Sequence, residues 1–419
     1  MADLPAGPPT RPITRYLAPL GLACIAAASL IPLCFEARPI DWILPYHTEF
    51  DRNAAKAIAV VLLVLPLAVR DFFDRETEPL AVSLTSGFLV LAGLATAWHG
   101  YCVDSHPSSA NWQKDLYLLV LDQQPDEHGQ LNIPHQFRPL PYGFVRMFEW
   151  ITGDWWFSCV VYRWCFTFWF LWGAHRFARL FLKPMPALLT VLPLVPLYPL
   201  SVQYYEGQLT DPLSHALFVL ALIYVVQDRW ILLAATLALG VMAKETVLLL
   251  TVSYFACYWR LGWPALLKTA ALGAACVAAY FAVRAPIGWQ LGFDKINGTE
   301  GLMIESNLGF DLGLGFAKYR GAAPVLMNYL HPLLFVGSFL PFILFGWRRL
   351  DGRLKAIFLT LTPLMLVANL CFGWMYESRN YMPLVPLLAT MAALGMNRRW
   401  ALVGYDSNRD VPSSSRLES

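Results

Sequence analysis

The chain consists mostly of apolar runs of roughly 16 to 25 residues, separated by short polar connections. Crossing a bilayer core of about 30 Å takes about 20 apolar residues in a helix. The pattern therefore predicts an all-α fold, a polytopic bundle of about 12 transmembrane helices (10 to 13). The predicted spans are 16–35, 54–70, 79–98, 155–181, 185–201, 211–227, 230–243, 245–259, 264–286, 324–346, 355–373 and 381–397.

Two of these runs allow a second interpretation. Residues 230–259 form either one long tilted helix or two short segments broken at Lys244 and Glu245. Residues 16–35, which follow Arg15, are either a retained helix or a signal peptide. We predict a retained helix, because the run is long for a signal peptide and no clear cleavage site follows it.

The composition agrees with a membrane protein. Charged residues make up 14% of the chain and hydrophobic residues 57%, whereas about 25% of the residues in a soluble domain are charged. The net charge of +2 is small and no stripe of basic residues is present, so we expect no nucleic-acid partner.

Basic residues cluster in short connections and predict the orientation of the chain. Cytoplasmic loops are enriched in Lys and Arg, so an even number of spans places both termini in the cytoplasm. We expect an integral, multi-pass protein of a bacterial inner (plasma) membrane, with membrane lipid around it and outer loops at 99–154 and 287–323. The basic clusters are Arg176/Arg179/Lys183, Arg260/Lys268, Arg348/Arg349/Arg353/Lys355 and Arg398/Arg399.

The first large outer loop, 99–154, is unusually polar for this chain. Within it, 115–122 and 139–150 have apolar residues at helical spacing. We expect both to be amphipathic helices that lie in the membrane interface.

Candidate catalytic groups lie in the same loop. Asp104 and Asp115 could act as general bases, since a partly desolvated carboxylate can accept a proton from a hydroxyl. Helix capping or simple solvation is the alternative for both. Arg138 offers a planar fork of donors that suits phosphate oxygens. Its alternative is general contact with lipid headgroups. No histidine or cysteine spacing predicts a metal site, and we predict neither a metal nor a cofactor.

Further polar residues interrupt apolar segments later in the chain. Lys244 and Glu245 are costly in such a position and indicate either a functional site or a structural ion pair. Glu377 and Arg379, at the start of the last span, are either site residues or interfacial anchors. A third patch opens the span at 211–227, where Asp211 is also a plausible N-cap; this patch comprises Glu206, Gln208 and Asp211.

The order of these motifs resembles that of the GT-C superfamily of polytopic membrane glycosyltransferases. It comprises a D-x-Y at Asp115 to Tyr117, an R-P-L-P at Arg138, an E-G-Q-x-x-D at Glu206 to Asp211, an A-K-E-T at 243–246 and an E-x-R-x-Y-x-P-L-x-P from Glu377. The resemblance covers residues 80–397. It implies transfer of a sugar from a polyprenyl-phosphate donor to an extracytoplasmic acceptor.

The resemblance also implies roles for these residues. Asp115, or less favourably Asp104, is the general base, and no second Asp stands beside it to clamp a metal. Arg138, Lys244 and Arg379 stabilise the leaving phosphate. The other candidates for substrate binding are Tyr117, Glu206, Gln208, Asp211, Glu245 and Glu377.

The hairpin at 16–70 leaves the register of the resemblance open. If the family's first span corresponds to 16–35, the base becomes Asp41 or Asp51; the acid-then-arginine order favours Asp115. The predicted organisation is an N-terminal tail and hairpin (1–78), a GT-C-like module (79–397) and a disordered cytoplasmic tail (398–419).

Two other functions fit part of the pattern. A transporter or flippase for a lipid-linked sugar would share the spans and the intramembrane charges, and predicts paired broken helices in two halves. A non-catalytic scaffold of envelope assembly would share the amphipathic helices. An enzyme predicts that Asp115, Arg138, Lys244 and Arg379 surround one outward cavity.

Overall fold

The computed structural model describes residues 93, 114, 117–118, 120–121, 137–191, 194, 198, 208–285, 303–308, 336–373, 375 and 377–396. These residues are almost entirely helical and contain no β-strand, which confirms the predicted all-α class for this part of the chain. The helices, numbered in chain order, are α1 (Pro139–Thr152), α2 (Trp155–Arg179), α3 (Pro184–Val191), α4 (Thr210–Val226), α5 (Trp230–Ala243), α6 (Leu250–Tyr258), α7 (Trp263–Arg284), α8 (Ile304–Leu308), α9 (Leu340–Gly346), α10 (Gly352–Phe372) and α11 (Val385–Met396).

Most described helices coincide with the apolar runs. The region 230–259 is two helices, because Lys244 is extended (φ −165°, ψ 129°) and a 3-10 turn, Glu245–Leu249, follows it. The predicted spans at 16–35 and 54–70, the span at 79–98 apart from one residue, and the tail at 398–419 lie outside the described residues.

Local signals explain where several helices begin and end. The Asp154 carboxylate accepts a hydrogen bond from the Phe157 amide at 2.6 Å and caps α2. The Asp351 carboxylate caps α10 in the same way at 2.7 Å, through the Arg353 amide. Gly153 ends α1 in the left-handed conformation (φ 71°), which glycine adopts without strain.

The C-terminus of α10 is satisfied by a distant side chain. The Asn307 amide on α8 donates to the carbonyls of Leu370 at 2.9 Å and Gly373 at 2.7 Å, and its oxygen accepts from the Met375 amide at 3.2 Å. These bonds satisfy carbonyls that the helix leaves unpaired at its end. They also tie a short part of the segment 287–323 to the bundle.

Helices α4 to α7 run alternately up and down, and α2 packs against α4. At one end lie the start of α4 and the ends of α5 and α7, near Asp211, Lys244 and Arg284; we call this the paired end. At the opposite end lie the last turn of α2, the α4–α5 turn and the start of α10; we call this the basic end. Near the basic end, Gly346 of α9 touches the backbone of Gly395 of α11, and a methyl group at either position would overlap its neighbour.

Among the helices that the structure describes, α7 and α10 are long and apolar enough to cross a membrane. Only 11% of the most apolar 18-residue window of α7 is buried, and 33% of that of α10. These helices are therefore not enclosed core helices.

Candidate functional site

Charged side chains from three distant segments meet at the paired end around Asp211. The carboxylate of Asp211 is fully buried, and it accepts hydrogen bonds from the Lys244 Nζ at 2.9 Å and the Arg379 Nη1 at 3.1 Å. A buried carboxylate without cationic partners costs several kcal/mol, about 3–5. Two cations on one carboxylate offset that cost.

Further hydrogen bonds extend this contact into a closed network. Lys244 Nζ also donates to Asn380 Oδ1 at 2.9 Å, and Asn380 Nδ2 donates to Glu377 Oε2 at 2.8 Å. Arg379 Nη2 pairs with Glu377 at 3.1 Å, and Arg379 Nη1 also donates to Gln208 Oε1. Two cations therefore balance two carboxylates. This Asp211 network comprises Gln208, Asp211, Lys244, Glu377, Arg379 and Asn380.

The break between α5 and the 3-10 turn sets the directions of both the Lys244 and the Glu245 side chains. Successive side chains of an extended backbone point to opposite sides. Lys244 accordingly reaches Asp211, whereas Glu245 reaches the Arg138 and Arg284 guanidinium groups instead. A regular helix would place the two side chains about 100° apart, so the break separates them more widely.

Glu245 holds two arginines from distant parts of the chain. Its Oε2 accepts from the Arg138 Nη2 at 2.8 Å and Nε at 3.1 Å, and its Oε1 accepts from the Arg284 Nη2 at 2.9 Å. The Arg284 guanidinium also lies over the rings of Tyr280 and Phe137, at 3.4 and 4.5 Å from their centroids. We call Arg138, Glu245 and Arg284 the Glu245 triad.

The Glu245 triad carries one positive charge in excess. Two of its members keep some solvent access: 14% of the Arg138 side chain and 24% of the Glu245 side chain are exposed. Within the part of the chain that the structure describes, the Arg284 Nη1 is buried and has no hydrogen-bond partner. A pair of guanidinium groups with a free donor and surplus charge is suited to a phosphate or carboxylate.

The structure brings together seven of the residues that the sequence singled out. These are Arg138, Gln208, Asp211, Lys244, Glu245, Glu377 and Arg379. Tyr117 makes other contacts: its hydroxyl donates to Glu149 at 2.5 Å, and its ring lies 4.3 Å from that of Trp155. Asp104, Asp115 and Glu206 lie outside the described residues.

One expectation for Asp211 is wrong. It is the second residue of α4 rather than its N-cap, which is Leu209. The physical reason is the presence of Lys244 and Arg379, because a carboxylate gains more from two buried cations than from a backbone amide. The carboxylate therefore faces these cations.

Sequence reasoning missed Arg284 and Asn380. Arg284 is the last residue of an apolar helix, α7, and falls near the end of the predicted span 264–286, where a charge resembles an interfacial anchor. The rule that a charge within a span indicates a site is the signal that could have found it. Asn380 is adjacent to the predicted Arg379, and nothing in its local pattern distinguishes it from a turn residue. Its position between Lys244 and Glu377 depends on tertiary structure.

The basic end has a different character. A cavity of about 390 Å³ lies there, lined by Leu180, Phe181, Val226, Gln227, Arg229 and Arg353. The described residues form ion pairs at this end between Lys268 and Asp228 at 3.2 Å and between Arg353 and Asp351 at 3.3 Å. The described residues contain no group of three or more His, Cys, Asp or Glu that could hold a metal ion.

Comparison with known proteins gives no match. No protein-family model matches the chain, and neither a curated protein nor a solved structure does.

Proposed function

We propose that the chain is a GT-C-type integral membrane glycosyltransferase that transfers a sugar from a polyprenyl-phosphate donor to an extracytoplasmic acceptor. One observation carries the proposal. Arg138, Lys244 and Arg379 are far apart in sequence, yet they belong to one charged assembly at the paired end. The resemblance to GT-C enzymes named these three residues as partners of one leaving phosphate.

The exposed apolar helices support a membrane location. Leu266, Leu267, Val277 and Phe281 of α7 are between 43 and 53% exposed, and soluble monomers rarely expose a contiguous apolar patch larger than a few hundred Å². A lipid environment covers such a face. The proposed topology is about 12 spans, with both termini and the basic end in the cytoplasm.

The proposed reaction is an inverting displacement. The Asp115 carboxylate takes the proton of an acceptor hydroxyl, and the acceptor oxygen forms a bond to the anomeric carbon of the sugar. The bond between that carbon and the phosphate oxygen breaks, and polyprenyl phosphate leaves with the bonding electrons and the added negative charge.

The Glu245 triad is the part of the paired end best suited to that leaving group. Its net positive charge and the free Nη1 of Arg284 offer attraction and a donor to a phosphate oxygen. Glu245 holds the two guanidinium groups in place before the phosphate arrives, and preorganised donors of this kind often supply the largest catalytic contribution. The Asp211 network is electrically balanced, because Lys244 and Arg379 already pair with its carboxylates. Of the three cations that the resemblance assigns to the phosphate, only Arg138 therefore keeps a direct contact in this proposal. The Asp211 network fixes Lys244 and, through it, the neighbouring Glu245.

A transfer assay tests the proposal. Purified full-length protein in liposomes is given radiolabelled polyprenyl-phosphate hexoses and pentoses, with inverted and right-side-out membrane vesicles as acceptor sources. We expect label to leave the lipid fraction with the wild type. We expect Asp115→Asn to lower the rate by about 100-fold or more, since general-base catalysis contributes about 10² to 10⁴.

Asp122→Asn is the matched control, because it makes the same change at the other end of the predicted helix 115–122. The control variant should transfer sugar at close to the wild-type rate, and both variants should unfold at the wild-type temperature. Full activity of Asp115→Asn would reject that residue as the base. Movement of the donor across the liposome membrane without transfer would replace the proposal with a flippase.

A further inference from the structure

The cavity at the basic end is formed by three separate parts of the bundle. Leu180 and Phe181 follow the end of α2, Val226, Gln227 and Arg229 belong to the α4–α5 turn, and Arg353 stands in the first turn of α10. Its volume of about 390 Å³ falls within the range of small-ligand pockets, about 300–1,000 Å³. Apolar and cationic side chains share its wall.

Arg353 is held rigidly at this wall. Its Nη1 donates to the Val226 carbonyl at 2.8 Å, and its Nε and Nη2 each donate to the Asp351 carboxylate at 3.3 Å. The guanidinium therefore joins α10 to the α4–α5 turn. Its own charge is balanced by Asp351.

Several basic residues lie on or beside the cavity wall. Arg179 and Lys183 flank the lining residues Leu180 and Phe181 in the chain, and the segment 155–191 contains no acidic residue. Arg229 lines the cavity and is exposed. The acids nearest in sequence to the cavity wall, Asp228 and Asp351, already pair with Lys268 and Arg353.

We propose that this cavity binds a phosphate group, carried by an anionic membrane lipid or by a soluble phosphorylated molecule. Basic pockets between helices on the cytoplasmic side of membrane proteins bind lipid phosphate headgroups. Arg229 contacts the phosphate, Arg179 contributes charge, and Leu180, Phe181 and Val226 pack against the apolar part of the ligand.

The cavity is separate from the paired end. Asp211 and Val226 stand at opposite ends of α4, which has 17 residues and is therefore about 25 Å long. A ligand in the cavity does not touch the Glu245 triad, and the proposal does not rest on glycosyl transfer.

Lipid titration of the full-length protein, read by native mass spectrometry, tests the proposal. Phosphatidylglycerol and phosphatidylcholine are compared for the wild type, Arg229→Gln and a control, Arg260→Gln, which removes another exposed arginine from the same end that does not line the cavity. We expect the wild type to prefer phosphatidylglycerol. Arg229→Gln should weaken its binding by about fivefold, since one basic residue near a membrane surface contributes about 1 kcal/mol. Arg260→Gln should stay within about twofold of the wild type, because residue 260 does not line the cavity.

A second titration with inorganic phosphate, read by thermal unfolding in neutral detergent, separates the two sources. Stabilisation of the wild type by millimolar phosphate, reduced in Arg229→Gln alone, assigns a soluble phosphorylated ligand. An effect of phosphatidylglycerol without an effect of inorganic phosphate assigns a lipid. An equal decrease in affinity for the probe in Arg229→Gln and Arg260→Gln would overturn the proposal. So would the absence of binding of both phosphatidylglycerol and inorganic phosphate to the wild type.

Discussion

The two ends of the bundle handle charge in opposite ways. At the paired end, Asp211, Lys244, Glu377 and Arg379 are buried and each has an opposite charge within 3.1 Å. At the basic end, ion pairs are longer and partly exposed, and several cations face outward. These exposed cations are Arg176, Arg229, Arg260, Arg348 and Arg349.

The exposed cations of the basic end need no specific partner. The buried charges of the paired end, in contrast, are each held in place by a partner of opposite charge. Exposed cations cost little, and the proposed orientation in a membrane would be enough to explain an excess of them on one side. Buried pairs often stabilise a protein no better than apolar residues of the same volume would. The Asp211 network therefore indicates a role beyond stability.

The largest expected effect compares the same substitution at both ends. Asp211→Asn leaves Lys244 and Arg379 without their shared carboxylate and should lower the free energy of unfolding by about 3–5 kcal/mol. Asp228→Asn breaks the exposed pair with Lys268 and should cost about 0–1 kcal/mol. Asparagine tolerates the positive φ of residue 228 (54°) and keeps an acceptor for the Tyr254 hydroxyl. Thermal and denaturant unfolding in detergent measures both values, and equal costs would contradict the comparison.

A smaller effect is expected within the paired end. Glu245→Gln removes the charge that holds Arg138 and Arg284, and should cost about 2 kcal/mol, as for other hydrogen bonds to charged groups. Glu149→Gln is its control, because the amide oxygen still accepts the hydrogen bond from the Tyr117 hydroxyl. That control should lose less than about 1 kcal/mol. The free energies of unfolding of the two variants are measured under identical conditions. A larger decrease in Glu149→Gln than in Glu245→Gln would contradict this prediction.

The smallest effect concerns salt. An increase in ionic strength from about 0.05 to 0.5 M shortens the Debye length to roughly 4 Å and screens exposed pairs far more than buried ones. The difference in the free energy of unfolding between the wild type and Asp228→Asn should fall towards zero as salt is added. The corresponding difference between the wild type and Asp211→Asn should change by less than about 0.5 kcal/mol. Unfolding of the three proteins in a salt series measures this, and equal salt dependence would place both pairs in the same environment.

The sequence predicted the helices better than the contacts between them. The boundaries of α2, α4, α5, α7 and α10 fall within about three residues of the predicted apolar runs, because apolar length and basic flanks are local properties. A charge inside an apolar stretch needs a partner, and Lys244 has one in the Asp211 carboxylate.

The partners of these charges could not be predicted in the same way. Glu245 pairs with Arg138 and Arg284 rather than with its neighbour Lys244, which depends on the extended backbone at residue 244 and on the packing of α7. Arg284 is the last residue of an apolar helix and resembles an ordinary interfacial anchor in sequence. Only the tertiary arrangement places it on Glu245 and over two aromatic rings.

The Glu245 triad is proposed to bind the phosphate of a polyprenyl lipid, and a direct binding measurement tests this claim. Polyprenyl phosphate is titrated into full-length protein in phosphatidylcholine nanodiscs, for the wild type and for Arg138→Gln/Arg284→Gln, with folding checked by thermal unfolding. We predict saturable binding by the wild type, weakened by about 100-fold in the double variant, since each hydrogen bond to a charged group contributes about 1.5–3 kcal/mol. Unchanged binding by a folded double variant would contradict the claim.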